Sequence, residues 1–219
     1  MEETETPRAR PKDRIVATAR KLFRKHGIRG VGVDTIAEAA GTNKMTLYRH
    51  FGSKDELIVA CLRQFAATAD TVWDDLARAH PGDALAQIHE WVRLCAHYVA
   101  CNGRGCDMAN VAVELAEHDH PARRIIEEFE RAQRARLAGL CRAAGMADAD
   151  LLADSLTLLL DGARVNQQCI GGGASGERFR RAAETIIAAF AARSTGTGTV
   201  AAQDGLSVAK RPGSVGRKS

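Results

Sequence analysis

The residues of this sequence best equipped for chemistry form one short polar run: Thr42, Asn43, Lys44, Met45, Thr46, Tyr48, Arg49 and His50, with Lys54 close behind. The chemistry they suit is recognition. Asn43, Lys44 and Thr46 are short or flexible enough to reach base edges in the major groove of DNA, and Met45 can lie against a thymine methyl. Tyr48, Arg49, His50 and Lys54 suit phosphate oxygens, which fix register without reading sequence. A plainer reading is a helical hairpin in a larger bundle whose outer face is merely solvated.

Two short helical patterns must position this run. Val33 to Ala40 offers Ile36 and Ala40 for burial four residues apart, with Ala37 and Ala39 small enough for a crossing helix to come close. Gly41 supplies the positive φ that ends a helix without steric cost, and Thr42 or Asn43 can cap the next. That helix, Lys44 to Phe51, buries Leu47 and Phe51 and leaves Lys44, Thr46, Tyr48 and Arg49 outward, the layout of a helix-turn-helix. Ile15, Ala19, Leu22 and Phe23 form an apolar stripe in a preceding helix that ends at His26-Gly27. Ser53-Lys54-Asp55-Glu56 has the form of a capping box opening a long helix. Between Arg8 and Lys54, twelve Lys or Arg face only Asp13, Asp34 and Glu38, a net +9, whereas the whole chain is +4. A positive end on an otherwise acidic chain is an electrostatic footprint for a polyanion.

Over roughly its first third the chain resembles the tetracycline-repressor (TetR) family. Ile36-Ala37, Ala40-Gly41, Thr46-Leu47-Tyr48, His50-Phe51 and Lys54 match that family's helix-turn-helix with the matching spacing, and Ala19, Leu22-Phe23 and Gly27 match the helix before it. The resemblance implies a dimeric, all-α transcriptional regulator, usually a repressor, whose larger C-terminal domain binds a small molecule. It also implies that Thr35, Asn43, Lys44, Met45, Thr46, Tyr48, His50 and Lys54 lie at or near DNA. Gly32 departs from the pattern, standing where the family commonly has a Ser or Thr cap.

The rest of the 219 residues reads as helix throughout, nine in all, with no competing strand pattern. Residues 1–9 form a disordered lead-in running into a basic arm. Residues 10–70 hold the DNA-binding domain (motif 32–51), residues 71–193 a ligand-binding and dimerisation domain, and 194–219 a disordered tail of Gly, Ser, Thr and Ala. The helix from Lys54 runs to His80-Pro81-Gly82 and joins the two parts. Further helices are expected over 84–100, Cys106 to Glu117, from Asp119-His120-Pro121 to Ala144, from Asp148 onward, and from Ser175 beyond the Gly171-Gly172-Gly173 break. The last two carry more apolar surface than one protomer can cover, so Leu152, Leu156, Leu159, Leu160, Ala163, Phe179, Ala183, Ile186, Ile187 and Phe190 are expected at a two-fold seam. An effector pocket is expected among the middle helices. Trp91, Cys95, Tyr98, Met108, Val111 and Phe129 would line it, with Glu114, Asn166, Asn110 and His97 as polar anchors.

Other chemistries find less support. No nucleophile–base pair or paired carboxylates occur at a recognisable spacing, so a helical enzyme with an incidental basic end is the weakest reading. The six cysteines lack a secreted framework and no signal peptide precedes them, so reduced thiols in the cytoplasm are expected. Cys101 and Cys106 flank a Gly-rich break and suggest a redox switch on the same frame. His118 with His120, or His89 with Cys95 and His97, suggest a metal sensor, although neither set has zinc spacing. No cofactor is implied, and no run is apolar and long enough to cross a membrane.

Overall fold

The computed structural model describes residues 10–115, 117 and 119–196. Among them lie nine α-helices and no strand. They are α1 (Pro11–His26), α2 (Val33–Ala39), α3 (Lys44–Phe51), α4 (Lys54–Ala79), α5 (Ala84–Cys101), α6 (Asp107–Glu114), α7 (Pro121–Ala143), α8 (Ala149–Ile170) and α9 (Ala174–Gly196). Local chemistry sets most of these ends. The Asp83 carboxylate accepts the Ala86 N–H at 2.9 Å to start α5. Ser53 Oγ accepts the Glu56 N–H at 3.1 Å to start α4. The return arm of that capping box is not made, because the Ser53 N–H bonds the Phe51 carbonyl at 2.7 Å.

Two apolar cores divide the molecule. The head core joins Ile15, Ala19 and Phe23 of α1 to Ile36, Leu47, Phe51 and, from α4, Leu57, Ile58 and Leu62. It also takes in Cys106, Met108, Val111, Leu115, Ala122 and Ile126, so α6 and the start of α7 pack onto the head. The body core gathers Leu76, Ile88, Trp91, Val92, Val99, Leu137, Cys141, Leu152, Leu156, Leu160, Phe179, Ala183 and Ile187. α4 belongs to both. At 26 residues and 1.5 Å per residue it spans about 39 Å and joins the two cores.

Two boundaries differ from expectation. α6 stops at Glu114 rather than reaching Glu117, because Leu115 leaves the helical conformation and turns its side chain into the head core. Its freed carbonyl accepts from the Arg123 guanidinium. α9 continues through Gly196, so the expected tail begins no earlier than residue 197; residues 1–9 and 197–219 lie outside the described residues.

The seam expected on α8 and α9 is corrected by burial. Leu152, Leu156, Leu160, Ala163, Phe179, Ala183 and Ile187 are all buried within the single chain, where α5, α7 and α9 cover α8. Leu159, Ile186 and Phe190 are half-buried against the same core. Besides Ile170 at its last turn, the large apolar side chains left outside on α8 are Leu151 (48% exposed), Leu158 (72%) and Val165 (59%). These three are seven residues apart, two turns, and so line one face turned away from the buried one.

Candidate nucleic-acid interface

The turn between α2 and α3 is closed by backbone geometry. The Gly41 N–H bonds the Glu38 carbonyl at 3.0 Å and the Thr42 N–H bonds the Ala37 carbonyl at 2.9 Å, the paired contacts of a Schellman motif. Gly41 has φ +65°, and nothing lies within 4 Å of where a Cβ would sit. Backbone conformation therefore demands this glycine, and crowding does not. Asn43 caps α3: its Oδ1 accepts the Thr46 N–H at 2.8 Å. Of the two residues that could cap, Asn43 does so, and its side-chain oxygen is thereby committed to the helix rather than free for a base.

Leu47 and Phe51 anchor α3 in the head core, which leaves a polar, cationic outer face. Lys44, Met45, Tyr48 and Arg49 are exposed, while Thr42, Thr46 and His50 are half-buried. Met45 is 82% exposed, a large apolar side chain held in water where a thymine methyl could cover it. Thr35 is exposed on α2. Lys44 Nζ lies 2.9 Å from Asp34 Oδ2 across the motif, and that hydrogen bond raises the lysine's pKa. Both partners face solvent, so the pairing is readily exchanged for another anion.

Lys54 departs from its expected role. Its ammonium is half-buried and donates to the Ile28 carbonyl at 2.5 Å, which makes it a fastener of the loop between α1 and α2. Gly32, the residue before α2, is extended at φ −82° and makes no side-chain cap bond.

The same loop is gripped from the body. Glu114 Oε2, at the end of α6, accepts the N–H groups of Ile28 at 2.7 Å and Arg29 at 3.2 Å. Both backbone groups of Ile28 are thus held by side chains, one from α4 and one from α6. At the other end of α6, Asp107 accepts from Arg24 at 2.7 and 2.9 Å and from Arg20 at 3.2 Å. Two carboxylates bolt α6 along α1. Glu114 was expected to anchor an effector and instead reaches the head, as Val111 does. Sequence reading missed Asp107, Arg20 and Arg24, because the partners lie more than 80 residues apart with no shared motif.

The other expected pocket residues are dispersed. Met108 is fully buried in the head core, and Phe129 packs edge-on to Phe65 at 5.6 Å. Trp91 stacks near Trp73 at 6.3 Å and meets Phe179 edge-on. Tyr98 OH donates to the Gly105 carbonyl at 3.2 Å, and Asn166 Oδ1 accepts from Ser175 Oγ at 2.9 Å. Burial pushes the Cys95 thiol up to about 12. A cavity of about 30 Å³ between α1, α4 and α6 touches Val111, Glu114 and Asn110. That is room for a water or two, well short of an organic effector.

Cys101 is exposed, with Sγ 3.7 Å from the His97 ring, whereas Cys106 is buried. Burial raises the Cys106 thiol, keeping it protonated and slow toward oxidants. His89 pairs with Glu184 at 2.7 Å, and His118 lies outside the described residues. Among the described residues no three His, Cys, Asp or Glu gather as a metal site, and no helix is long and apolar enough to cross a membrane.

A polar, basic recognition face on a turn-linked helix pair, set at one end of an all-α body, defines a helix-turn-helix protein. Residues 15–61 match the family model of bacterial regulatory proteins of the tetR family. Among similar proteins, the transcriptional regulator EthR of Mycolicibacterium smegmatis is 27% identical over 101 residues, 42% of this chain and 46% of that one. The transcriptional repressor SCO4008 of Streptomyces coelicolor is 30% identical over 124 residues, 52% of this chain and 60% of that one. These matches span less than two thirds of either relative's length. The solved structure of SCO4454, a TetR-family transcriptional regulator from Streptomyces coelicolor, superposes with a TM-score of 0.73 at 26% identity, over 82% of this chain and 95% of that one. Residues 15–61 thus carry the tetR-family N-terminal domain, and the all-α fold of the chain is similar to that of TetR-family regulators.

Proposed function

We propose that this protein is a homodimeric transcriptional repressor, residing in the cytoplasm, that leaves a near-palindromic operator when a small molecule binds its body. The observation that carries the reading is the free face of α3, presented by a head of net charge +9. Thr35, Thr42, Lys44, Met45 and Thr46 meet base edges or the adjacent backbone, Tyr48, Arg49 and His50 meet phosphates, and Asn43 and Lys54 hold the frame. Two relatives, named a regulator and a repressor, support the regulatory role.

The exposed row Leu151, Leu158 and Val165 supports pairing through α8, with Leu159, Ile186 and Phe190 at its margin. Two heads about 34–36 Å apart read two half-sites at once. A ligand that favours a differently spaced dimer empties the operator once its preference between the two states approaches about 10⁴-fold. α4 and the α6 bolts are the mechanical route by which the body sets head position.

Selection from fragmented genomic DNA tests the reading. The protein should enrich near-palindromic fragments, with affinity falling with salt at a log–log slope of about −0.9 per phosphate neutralised. Binding without sequence preference, or none, contradicts it.

A further inference from the structure

Two buried polar atoms on one face of α8 have no hydrogen-bond partner, Arg164 Nε and Gln167 Oε1. Gln167 is only 6% exposed. Residues three apart on a helix lie side by side, with Cβ atoms about 5–6 Å apart. Unpaired buried polar atoms are costly and rare, and each asks for an explanation. One is a donor and the other an acceptor, so together they specify a complementary edge.

Their surroundings narrow the chemistry further. Arg164 Nη1 donates to Asp161 at 2.9 Å, which leaves Nε over. The guanidinium is also close enough to influence Cys95 and Tyr98 of α5, Cys106 ahead of α6, and Glu130 of α7. Burial, with Asp161 nearby, already raises the Glu130 carboxyl. An incoming anion would meet two carboxylates against one guanidinium, so the group that fits is neutral.

A crossing segment covers the pair. The Gly-containing stretch from Asn102 to Cys106 crosses α8, and a Cβ on Gly105 would fall 3.8 Å from Arg164 Cβ. It is tied down by side chains, Tyr98 OH to the Gly105 carbonyl and Gln168 Nε2 to the Arg104 carbonyl at 2.9 Å. Such ties can open without unfolding a helix.

We propose that α8 carries the polar anchor of the effector site and that it takes a neutral cis-amide or lactam edge, whose carbonyl accepts from Arg164 Nε and whose N–H donates to Gln167 Oε1. The apolar remainder of the molecule lies toward Cys95 and Tyr98, under the 102–106 stretch. This inference rests on the effector-release reading above and names the chemistry of its ligand.

The test uses the full chain and three probes: 2-pyridone, which has the full edge; N-methyl-2-pyridone, which lacks the donor; and benzoate, which is an anion. Trp73 and Trp91 stack in the body, so intrinsic fluorescence reports binding there, with thermal shift alongside. The expected result is a response to 2-pyridone, at least about tenfold weaker binding of the N-methyl compound because a buried acceptor stays unpaired, and weaker binding of benzoate. Gln167→Leu should raise the melting temperature of the free protein and abolish the preference for the N–H compound. If that variant does not fold, the three-probe comparison on the unaltered chain decides alone.

Equal affinity for the two pyridones, a preference for benzoate, or no response to 2-pyridone at saturating concentration overturns the proposal. So does a lowered melting temperature in folded Gln167→Leu, the result expected if a water bridges the two atoms. A protein that binds selected DNA but ignores 2-pyridone removes this inference alone; one that binds no DNA removes the repressor reading.

Discussion

Gly27 and Glu114 should be energetically coupled, and the coupling can be worked from their geometry. Gly27 ends α1 at φ +77° and ψ 164°, a region only glycine occupies comfortably, where another residue costs on the order of 1–3 kcal/mol. A Cβ there would also lie 2.7 Å from Glu114 Oε2 and 2.9 Å from Oε1, displacing the carboxylate that holds the Ile28 and Arg29 N–H groups. Glu114→Ala alone forfeits two charge-assisted bonds. Because the site is half-buried and water can partly replace the carboxylate, its cost should be about 1–2 kcal/mol, below the full range for such bonds. Gly27→Ala alone should cost both the backbone strain and much of the latch, about 2–4 kcal/mol.

In the double variant the latch is removed only once and the methyl has room. Its destabilisation should therefore fall short of the sum of the single variants by about 1 kcal/mol or more. Urea denaturation of the four proteins, with equal m-values, measures this directly. Additive losses would refute the reasoning, since they would mean that the carboxylate does not sit against Gly27 in solution. DNA affinity measured on the same proteins adds a second readout: Glu114→Ala should still bind its operator but respond less to an effector, being without one bolt between body and head.

Further outcomes follow from the same geometry. Lys44→Ala or Thr46→Ala should relax sequence preference, whereas Tyr48→Phe or Arg49→Ala should weaken binding to all fragments alike, and Arg49→Ala, which alone of these two removes a charge, should also reduce the salt slope by about 0.9; a binding titration series at several salt concentrations separates the effects. Leu158→Glu should yield a folded monomer by light scattering with weakened operator binding, whereas Leu156→Glu, buried in the protomer, should fail to fold. Gly32→Ser places a cap where backbone and space allow it, and should raise stability by a few tenths of a kcal/mol in calorimetry. In the native protein iodoacetamide should label exposed Cys101 promptly. It should reach Cys61, buried and pushed up to about 12, only after unfolding, as mass spectrometry would show.

The helix-turn-helix was legible because its signals are local. Gly41, the cap at Asn43 and the spacing of Leu47 and Phe51 act within a dozen residues, and α3 spans the expected Lys44 to Phe51. Lys54 was harder to place, since a lysine beside a recognition helix has the same sequence signature whether it meets a phosphate or a neighbouring carbonyl. The α6 bolts could not be read at all, because Asp107 and Glu114 find partners in α1 and the loop after it, across more than 80 residues. The leucines of α8 show a third kind of limit. Periodicity marks the apolar positions, but which of two apolar faces turns inward depends on where α5, α7 and α9 pack. Leu156 went inside and Leu158 outside for that reason.

The most direct measurement of the central claim is a footprint on the fragment recovered by genomic selection, made with protein of known mass in solution. The account predicts a dimer protecting two half-sites whose centres lie one helical turn, or a multiple of it, apart, with Arg49→Ala requiring more protein for the same protection. A monomer, or a protein that protects no fragment at low salt, would contradict it.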